Sequence, residues 1–442
     1  MQIQLSEKFT YKKLIRFTFP SIMMMIFISI YGVVDGVFVS NFVGEVPFEA
    51  INLIMPVYML LGAIGFMVGT GGSALVSKLL GEGNREKANS VFSLLIYLSL
   101  IVGALASAVV FVFIEPISRL LGAEGEMLDR CVLYGRILLP FMAIFILQNE
   151  FQSFLVTAER PRLGLWVTVA AGCTNIVLDA LFVAVFPFGL AGAAVATAIS
   201  QTVGGVIPLM YFLFSKNSVL KLGKTRFDGG AIAKTCANGS SEMMTNVSMC
   251  IVNILYNFRL MEIAGNDGLG AYSVIMYVNF IFMAIFFGYA VGSSPIVGYH
   301  YGAGNREEIK SLKSKSVTLI AAAAVAMTVL AELFAYPLAK IFVGYNEKLL
   351  ALTTRGFRLY SLSFLVMGFN VFGSSFFTAL NNGAVSAVIS FSRTFLFQIL
   401  AIFVLPIWLG LDGIWLAVVA AELLSIAVTV FFFITQRSRY GY

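Results

Sequence analysis

The stretch GGSALVSKLLGEGNREKANS at residues 71–90 recurs as GSSPIVGYHYGAGNREEIKS at residues 292–311. The two stretches share nine of twenty residues without a gap, at an offset of 221 in a chain of 442 residues. The offset is therefore half the chain length, and it indicates an internal duplication of one structural unit. The same offset pairs further residues of the two halves: Gly44 with Gly265, Asn149 with Asn370, and Gly189 with Gly410.

Long apolar runs fill both halves of the chain. The sequence is 59% hydrophobic and 12% charged, with a mean hydropathy of +0.90, which is typical of a polytopic membrane protein. A helix needs about 20 apolar residues to cross the hydrocarbon core of a bilayer, and these runs are far longer than the strands of a membrane barrel. Twelve runs are long enough: 14–39, 49–76, 91–114, 134–157, 164–186, 189–214, 238–262, 269–297, 316–339, 358–379, 385–407 and 411–435.

We therefore predict an all-α fold with twelve transmembrane helices in two six-helix lobes. An even number of crossings starts each half on the same side, so the lobes should be related by a pseudo-two-fold axis along the membrane normal. The predicted units are an N-terminal lobe at 1–214, a polar linker at 215–236 and a C-terminal lobe at 237–442. The linker would let the lobes rock around a central cavity. The repeated GxGNRE segment predicts a helix stop followed by an N-cap.

The distribution of basic residues predicts the orientation of the chain. Counting from an inside N-terminus, 20 of the 29 Lys and Arg residues lie in the termini and even-numbered loops, Lys216 of the linker among them. Such a bias marks the cytoplasmic side of a membrane protein. We therefore expect a multi-pass protein of the inner membrane with both termini in the cytoplasm. This bias accounts for the net charge of +6 without a nucleic-acid partner.

Six charged residues within the predicted spans are singled out as candidates. A charged side chain at the centre of a membrane helix costs roughly 2.5 to 3.5 kcal/mol on insertion scales, so each is a candidate for function. The set is five acidic residues and one basic residue: Asp35, Glu150, Asp179, Glu242, Glu422 and Arg393.

Two of these carboxylates fall at comparable depths in the N-terminal lobe. Asp35 lies roughly 30 Å of helix rise from the cytoplasmic end of its helix and Asp179 about 22 Å, which places both in the outer half of the membrane. Asn175 precedes Asp179 by one turn on the same face. Tyr134 and Thr197 also lie near the outer side, and Asn149 lies near mid-membrane.

Such a group has two physical uses, and the sequence alone does not choose between them. The two carboxylates can take up and release a proton, or Asp35, Asp179, Asn175 and Thr197 can supply an oxygen cage for Na⁺. Apart from this H⁺ or Na⁺ no cofactor is predicted. In the C-terminal lobe Tyr256, Leu400 and Val418 replace Asp35, Asp179 and Thr197, whereas Asn370 matches Asn149.

Three other residues are predicted to line the cavity or to stabilise the second lobe, namely Glu242, Asn370 and Arg393. Pro20 interrupts the hydrogen-bond ladder of the first helix, about four turns before Asp35. We predict a conformational hinge at Pro20 that responds to the charge of Asp35.

The chain resembles the multidrug and toxic compound extrusion (MATE) family, and within it the prokaryotic branch of the DNA-damage-inducible F type. The resemblance rests on the six-plus-six duplication, the two GxGNRE elbows, Pro20 with Asp35, and the NIVLD segment at 175–179. It implies a cation-coupled antiporter, not an enzyme, that expels bulky, amphipathic and often cationic compounds. It further implies that a coupling network forms from the matching residues: Asp35, Tyr134, Asn149, Asn175, Asp179 and Thr197.

The main alternative within transporters is a flippase for a lipid-linked oligosaccharide or another lipid. A pyrophosphate cargo would favour a basic cavity, whereas the six candidate residues comprise five acidic side chains and one basic one. A prenyltransferase would need a DDxxD motif and a nucleotide-driven pump a GxxxxGK[ST] motif, and the sequence has neither. The expected partners are small amphipathic organic substrates and the lipid bilayer, and the expected state is a monomer.

Overall fold

The computed structural model describes residues 3–186, 188–215 and 217–442, without the side chains of Val37, Ser40 and Glu45. Lys216, one of the basic residues of the predicted linker, lies outside this described part. Every regular element within it is helical. The first half comprises α1 (Tyr11–Phe42), α2 (Glu45–Gly81), α3 (Arg85–Leu120), α4 (Gly125–Thr157), α5 (Pro161–Val185) and α6 (Gly189–Phe214).

The second half repeats this order. It comprises α7 (229–264), α8 (266–302), α9 (Arg306–Val343), α10 (347–379), α11 (Gly383–Leu409), α12 (Leu411–Thr435) and a last short helix, α13 (Arg437–Tyr440). Residues 229–236, which the linker prediction included, form the first turns of α7. The boundaries of the two lobes and of the linker otherwise stay a prediction.

The helices α7 and α8 meet at Gly265 without an intervening loop. Together they run for 74 residues, which is about 111 Å at 1.5 Å per residue and far exceeds a bilayer of about 30 Å. Gly265 has φ 60° and ψ −148°, a conformation open essentially to glycine alone, and it breaks the run into two spans. Its counterpart Gly44, at φ 103°, separates α1 from α2 in the same way.

Other irregularities of the first half also recur in the second. A 3₁₀ turn at Leu139–Phe141 interrupts α4, and α10 bends by 47° between Glu347–Ser361 and Phe364–Ala379. At the two GxGNRE elbows, Asn84 accepts a hydrogen bond from the backbone of Lys87, and Asn305 from that of Glu308. The predicted N-caps are therefore confirmed. With twelve long helices in the described chain, so is the prediction of a two-lobe, twelve-helix fold.

One side of the molecule, which we call the terminal side, carries both termini, the two elbows and the α4–α5 turn at 158–160. The N-terminal segment bridges the two halves there. The backbone N–H of Leu5 donates to Glu159 at 2.7 Å, and that of Phe9 donates to Glu308 at 2.8 Å. The C-terminal residue Tyr442 packs on the ring of Phe376.

The two lobes are packed tightly together near the terminal side. A Cβ atom added to Gly302 of α8 would lie 1.9 Å from the carbonyl oxygen of Lys78 in α2, and one added to Gly239 of α7 would lie 1.8 Å from that of Met67. Only glycine allows backbones to approach so closely. A cavity lies between the lobes.

Candidate functional site

Close packing of α1 on α5 sets the position of the first carboxylate. A Cβ atom added to Gly172 of α5 would lie 2.5 Å from the ring of Phe27 and 3.1 Å from that of Tyr31, so these rings occupy the space that glycine leaves. Asp35 follows Tyr31 by one turn on the same face of α1. Asp179 follows Gly172 by two turns of α5. The packing therefore brings the two aspartates together at the end of the bundle away from the terminal side.

The side chains of Asp35 and Asp179 are within hydrogen-bonding contact, and Asn175 is the second polar neighbour of Asp35. Asp179 is fully buried, and neither of its carboxyl oxygens has a hydrogen-bond donor among the described residues. The same holds for Oδ1 of Asp35. The contact thus joins two acceptor groups, which requires a proton or a cation between them.

Tyr134 of α4 borders this pair. It is buried, and it lies beside Thr197 of α6 and close to both aspartates. Five of the six residues predicted for the coupling network therefore lie together. Asn149 is used differently, since its amide nitrogen donates to the carbonyl oxygen of Gly62 in α2 at 3.2 Å.

Two residues beside the network were not predicted from the sequence. The hydroxyl of Tyr58 donates to Oε1 of Gln201 at 2.7 Å, and Tyr58 belongs to the same buried cluster as Tyr134. Both are buried polar residues within spans. Tyrosine and glutamine are common in membrane helices as helix-packing residues, so their types alone carried no signal.

The cavity between the lobes has a volume of about 1210 Å³, counting the part open to solvent. Its wall is built from α1, α2, α4, α7, α8 and α10, and Glu242 is the only ionisable side chain among the described residues that line it. The rest is hydroxyl, amide and apolar surface. Most of the large apolar groups are methionines and phenylalanines: Met25, Phe66, Met249, Phe280, Met283 and Phe287.

The other two residues predicted for the cavity belong to a network inside the C-terminal lobe. Arg393 Nη1 lies 3.3 Å from Oε1 of Glu422, and the two side chains are 4% and 2% exposed. Asn370 donates to Oε2 of Glu422 at 2.7 Å and accepts from Thr429 at 2.8 Å. Asn370 does not border the main cavity, and Arg393 lines a smaller adjoining pocket of about 620 Å³.

Two further predicted residues lie outside both networks. Pro20 is buried within α1, toward its terminal-side end. Glu150 of α4 is fully buried beside Ser99 of α3.

Comparison with known proteins identifies the family to which this architecture belongs. The family model MatE matches residues 20–181 and again residues 243–404, one match in each half and together well over half of the chain.

The chain belongs to the MatE family.

Members of the MatE family are membrane transporters, so the prediction of a multi-pass membrane transporter rather than an enzyme is confirmed. The multidrug export protein MepA of Staphylococcus haemolyticus is 24% identical, over 98% of this chain and 95% of its own. MepA of Staphylococcus aureus is 22% identical, over 96% and 94%. A solved structure described as the outward-facing conformation of a multidrug resistance MATE transporter has a TM-score of 0.93 at 22% identity, covering 100% of this chain and 98% of that chain.

Proposed function

We propose that this MatE protein is a cation-coupled antiporter that exports amphipathic, cationic organic compounds by alternating access. The contact between Asp35 and Asp179 carries the proposal. Two carboxylates that meet inside a membrane protein repel each other strongly unless a proton or a cation lies between them. A shared proton relieves this repulsion, and so does Na⁺ held by both aspartates with oxygen atoms of Asn175 and Thr197. H⁺ or Na⁺ is thus the coupling ion.

The composition of the cavity supports the choice of cargo. Glu242 supplies a single negative charge to a wall that is otherwise uncharged among the described residues. Methionine side chains repack readily around ligands of different shape, and aromatic faces attract organic cations. The naming of the MepA relatives as multidrug export proteins agrees with this cargo. A pyrophosphate-bearing lipid, the cargo of the alternative flippase function, would find an acidic group and no basic one among the described residues of the cavity wall.

The tight packing at the terminal side supports the assignment of this structure to one state of the transport cycle. Because the basic residues predict a cytoplasmic terminal side, a cavity closed there corresponds to an outward-facing state. In the proposed cycle, H⁺ or Na⁺ enters from outside and binds at Asp35 and Asp179. Its binding changes the shape of α1 through the hinge at Pro20 and expels the substrate. The protein would act as a monomer in the inner membrane, with both termini in the cytoplasm.

Purified protein in proteoliposomes tests this function. Efflux of a fluorescent organic cation is followed under a pH gradient alone and under a Na⁺ gradient alone, for the wild type and for Asp179→Asn. Asp129→Asn, at an exposed position in α4, serves as the matched control.

We expect one of the two gradients to drive efflux in the wild type and the control, and neither gradient to do so in Asp179→Asn. If neither gradient moves the dye in any protein, the antiporter function is wrong. Full gradient-driven efflux by Asp179→Asn would leave the export function standing and overturn only the assignment of the coupling site.

A further inference from the structure

A second cavity lies at the terminal side, between the start of α1 and the α4–α5 turn. It has a volume of about 780 Å³, and it is separate from the cavity between the lobes. Three arginines line it, namely Arg16, Arg160 and Arg162. Glu159 is the only acidic residue among its described lining, and its carboxylate already accepts a hydrogen bond from the backbone of Leu5. The cavity therefore has a net positive charge.

The local structure turns the three arginines towards one space. Arg160 and Arg162 flank Pro161, the first residue of α5, and Glu159 before them has φ 61°, which turns the chain sharply between α4 and α5. Arg16 lies one turn before Pro20 on the same face of α1. The structure records no salt bridge for these arginines among the residues it describes, and Nε of Arg160 is buried without an acceptor there.

The surroundings of the cavity are those of a membrane interface. On α1, Phe19 is 54% exposed beside the cavity-lining Pro20. On α5, Trp166 is 68% exposed one turn beyond Arg162. Exposed aromatic side chains next to arginines are characteristic of the level at which lipid headgroups meet acyl chains. Basic pockets between membrane helices on the cytoplasmic side bind anionic headgroups.

We propose that this cavity binds the phosphate headgroup of an anionic phospholipid from the leaflet on the terminal side, with its acyl chains lying along Phe19 and Trp166. The guanidinium groups of Arg16, Arg160 and Arg162 contact the phosphate, because arginine presents paired N–H donors that match phosphate oxygens. A headgroup held here connects α5 with α1 at Pro20, the residue where the hydrogen-bond ladder of α1 is interrupted. Binding does not depend on the proposed transport function.

The test compares lipid binding by purified, detergent-solubilised proteins, with native mass spectrometry as the readout and phosphatidylglycerol as the probe. The test variant carries Arg16→Gln, Arg160→Gln and Arg162→Gln. The matched control removes three charges from the connecting segment at the same side, with Lys221→Gln, Lys224→Gln and Arg226→Gln, all of which are exposed. Phosphatidylcholine and inorganic phosphate are titrated in parallel, with the melting temperature as a second readout.

We expect the control to bind phosphatidylglycerol as the wild type does and the test variant to bind it on the order of 100-fold more weakly, at about fivefold for each charge removed near a membrane surface. Glu159→Gln keeps an acceptor for Leu5 and removes the acidic charge, so it should tighten binding about fivefold. Should the triple variant fail to fold, Arg162→Gln alone, at an exposed position, should weaken binding about fivefold.

Three results would overturn the proposal. The first is unchanged phosphatidylglycerol binding by the folded test variant. The second is equal binding of phosphatidylcholine by the wild type, which would mean that the arginines do not select the headgroup. The third is an equal rise in melting temperature with inorganic phosphate, which would assign the cavity to a free anion.

Discussion

The ion pair between Arg393 and Glu422 gives the sharpest test of how charge is stabilised inside this protein. Nη1 and Oε1 are 3.3 Å apart, and the side chains are 4% and 2% exposed. At that distance, with an effective dielectric constant of about 20, the attraction is about 5 kcal/mol. Removing one partner from a buried pair typically costs about 3–5 kcal/mol, because the other charge is left uncompensated.

The two single substitutions should not be equivalent. Glu422→Gln leaves the guanidinium of Arg393 buried, and arginine does not lose its proton in proteins. Arg393→Met leaves a carboxylate that can be neutralised by taking a proton and that still accepts from Asn370. We therefore expect Glu422→Gln to lower the free energy of unfolding by about 3–5 kcal/mol. Arg393→Met should lower it by less, and this loss should shrink as the pH falls. The double variant removes both charges of this pair, so it should lose less stability than Glu422→Gln alone.

Equilibrium unfolding in mixed micelles of dodecylmaltoside and sodium dodecyl sulfate measures these free energies. Trp415, fully buried two turns before Glu422 on α12, provides a fluorescence signal close to the pair. The double-mutant cycle isolates the interaction between the two side chains. The reasoning is refuted if either single variant unfolds within about 0.5 kcal/mol of the wild type, or if the double variant loses the sum of the single losses.

Four further predictions follow from other regions. Pro20→Ala restores the hydrogen-bond ladder of α1, so it should slow gradient-driven efflux in proteoliposomes while the melting temperature holds or rises; unchanged efflux contradicts the hinge. Gly239→Ala places a methyl group 1.8 Å from the Met67 carbonyl, so it should separate the lobes at the terminal side and make the chain's own cysteines easier to label there with a thiol reagent. Gly223→Ala, with nothing within 4 Å, should leave this labelling unchanged. Glu150→Gln should leave stability within about 1 kcal/mol by the same micelle assay, because glutamine keeps the shape of the side chain and its ability to hydrogen-bond; a larger loss means that the charge of Glu150 is used. Burial raises the pKa of the Glu159 carboxyl, so the ionised form is disfavoured in the fold, and Glu159→Gln should melt higher than the wild type at neutral pH, with the difference vanishing as the pH falls through that raised pKa.

The features that could be predicted from the sequence are those that depend on local patterns. Hydropathy gave the spans, and cap chemistry gave the elbows at Asn84 and Asn305, because each depends on residues a few positions apart. The contact between Asp35 and Asp179 spans 144 residues, yet helix rise alone places both at a similar depth. The predicted depth alone was enough to assign five of the six network residues to one group.

Depth does not determine the direction in which a side chain leaves its helix, and this explains what could not be predicted. Asn149 was predicted near mid-membrane, and its side chain points at the backbone of α2, where it contacts Gly62. The pairing of Arg393 with Glu422 depends on the packing of α11 against α12. Such contacts depend on how each helix is rotated about its own axis. Close approaches between helices, such as the one at Gly172, set this rotation, and a single sequence does not reveal them.

The two lobes share one scaffold but balance their buried carboxylates in different ways. In the C-terminal lobe Glu422 is matched by Arg393 and by a hydrogen bond from Asn370, so its charge is already compensated. In the N-terminal lobe Asp179 touches Asp35 and has no donor among the described residues. A cation entering the C-terminal network would have to displace the guanidinium of Arg393. A cation between Asp35 and Asp179 would instead relieve the repulsion between the two carboxylates. We therefore expect the coupling ion to bind in the N-terminal lobe alone.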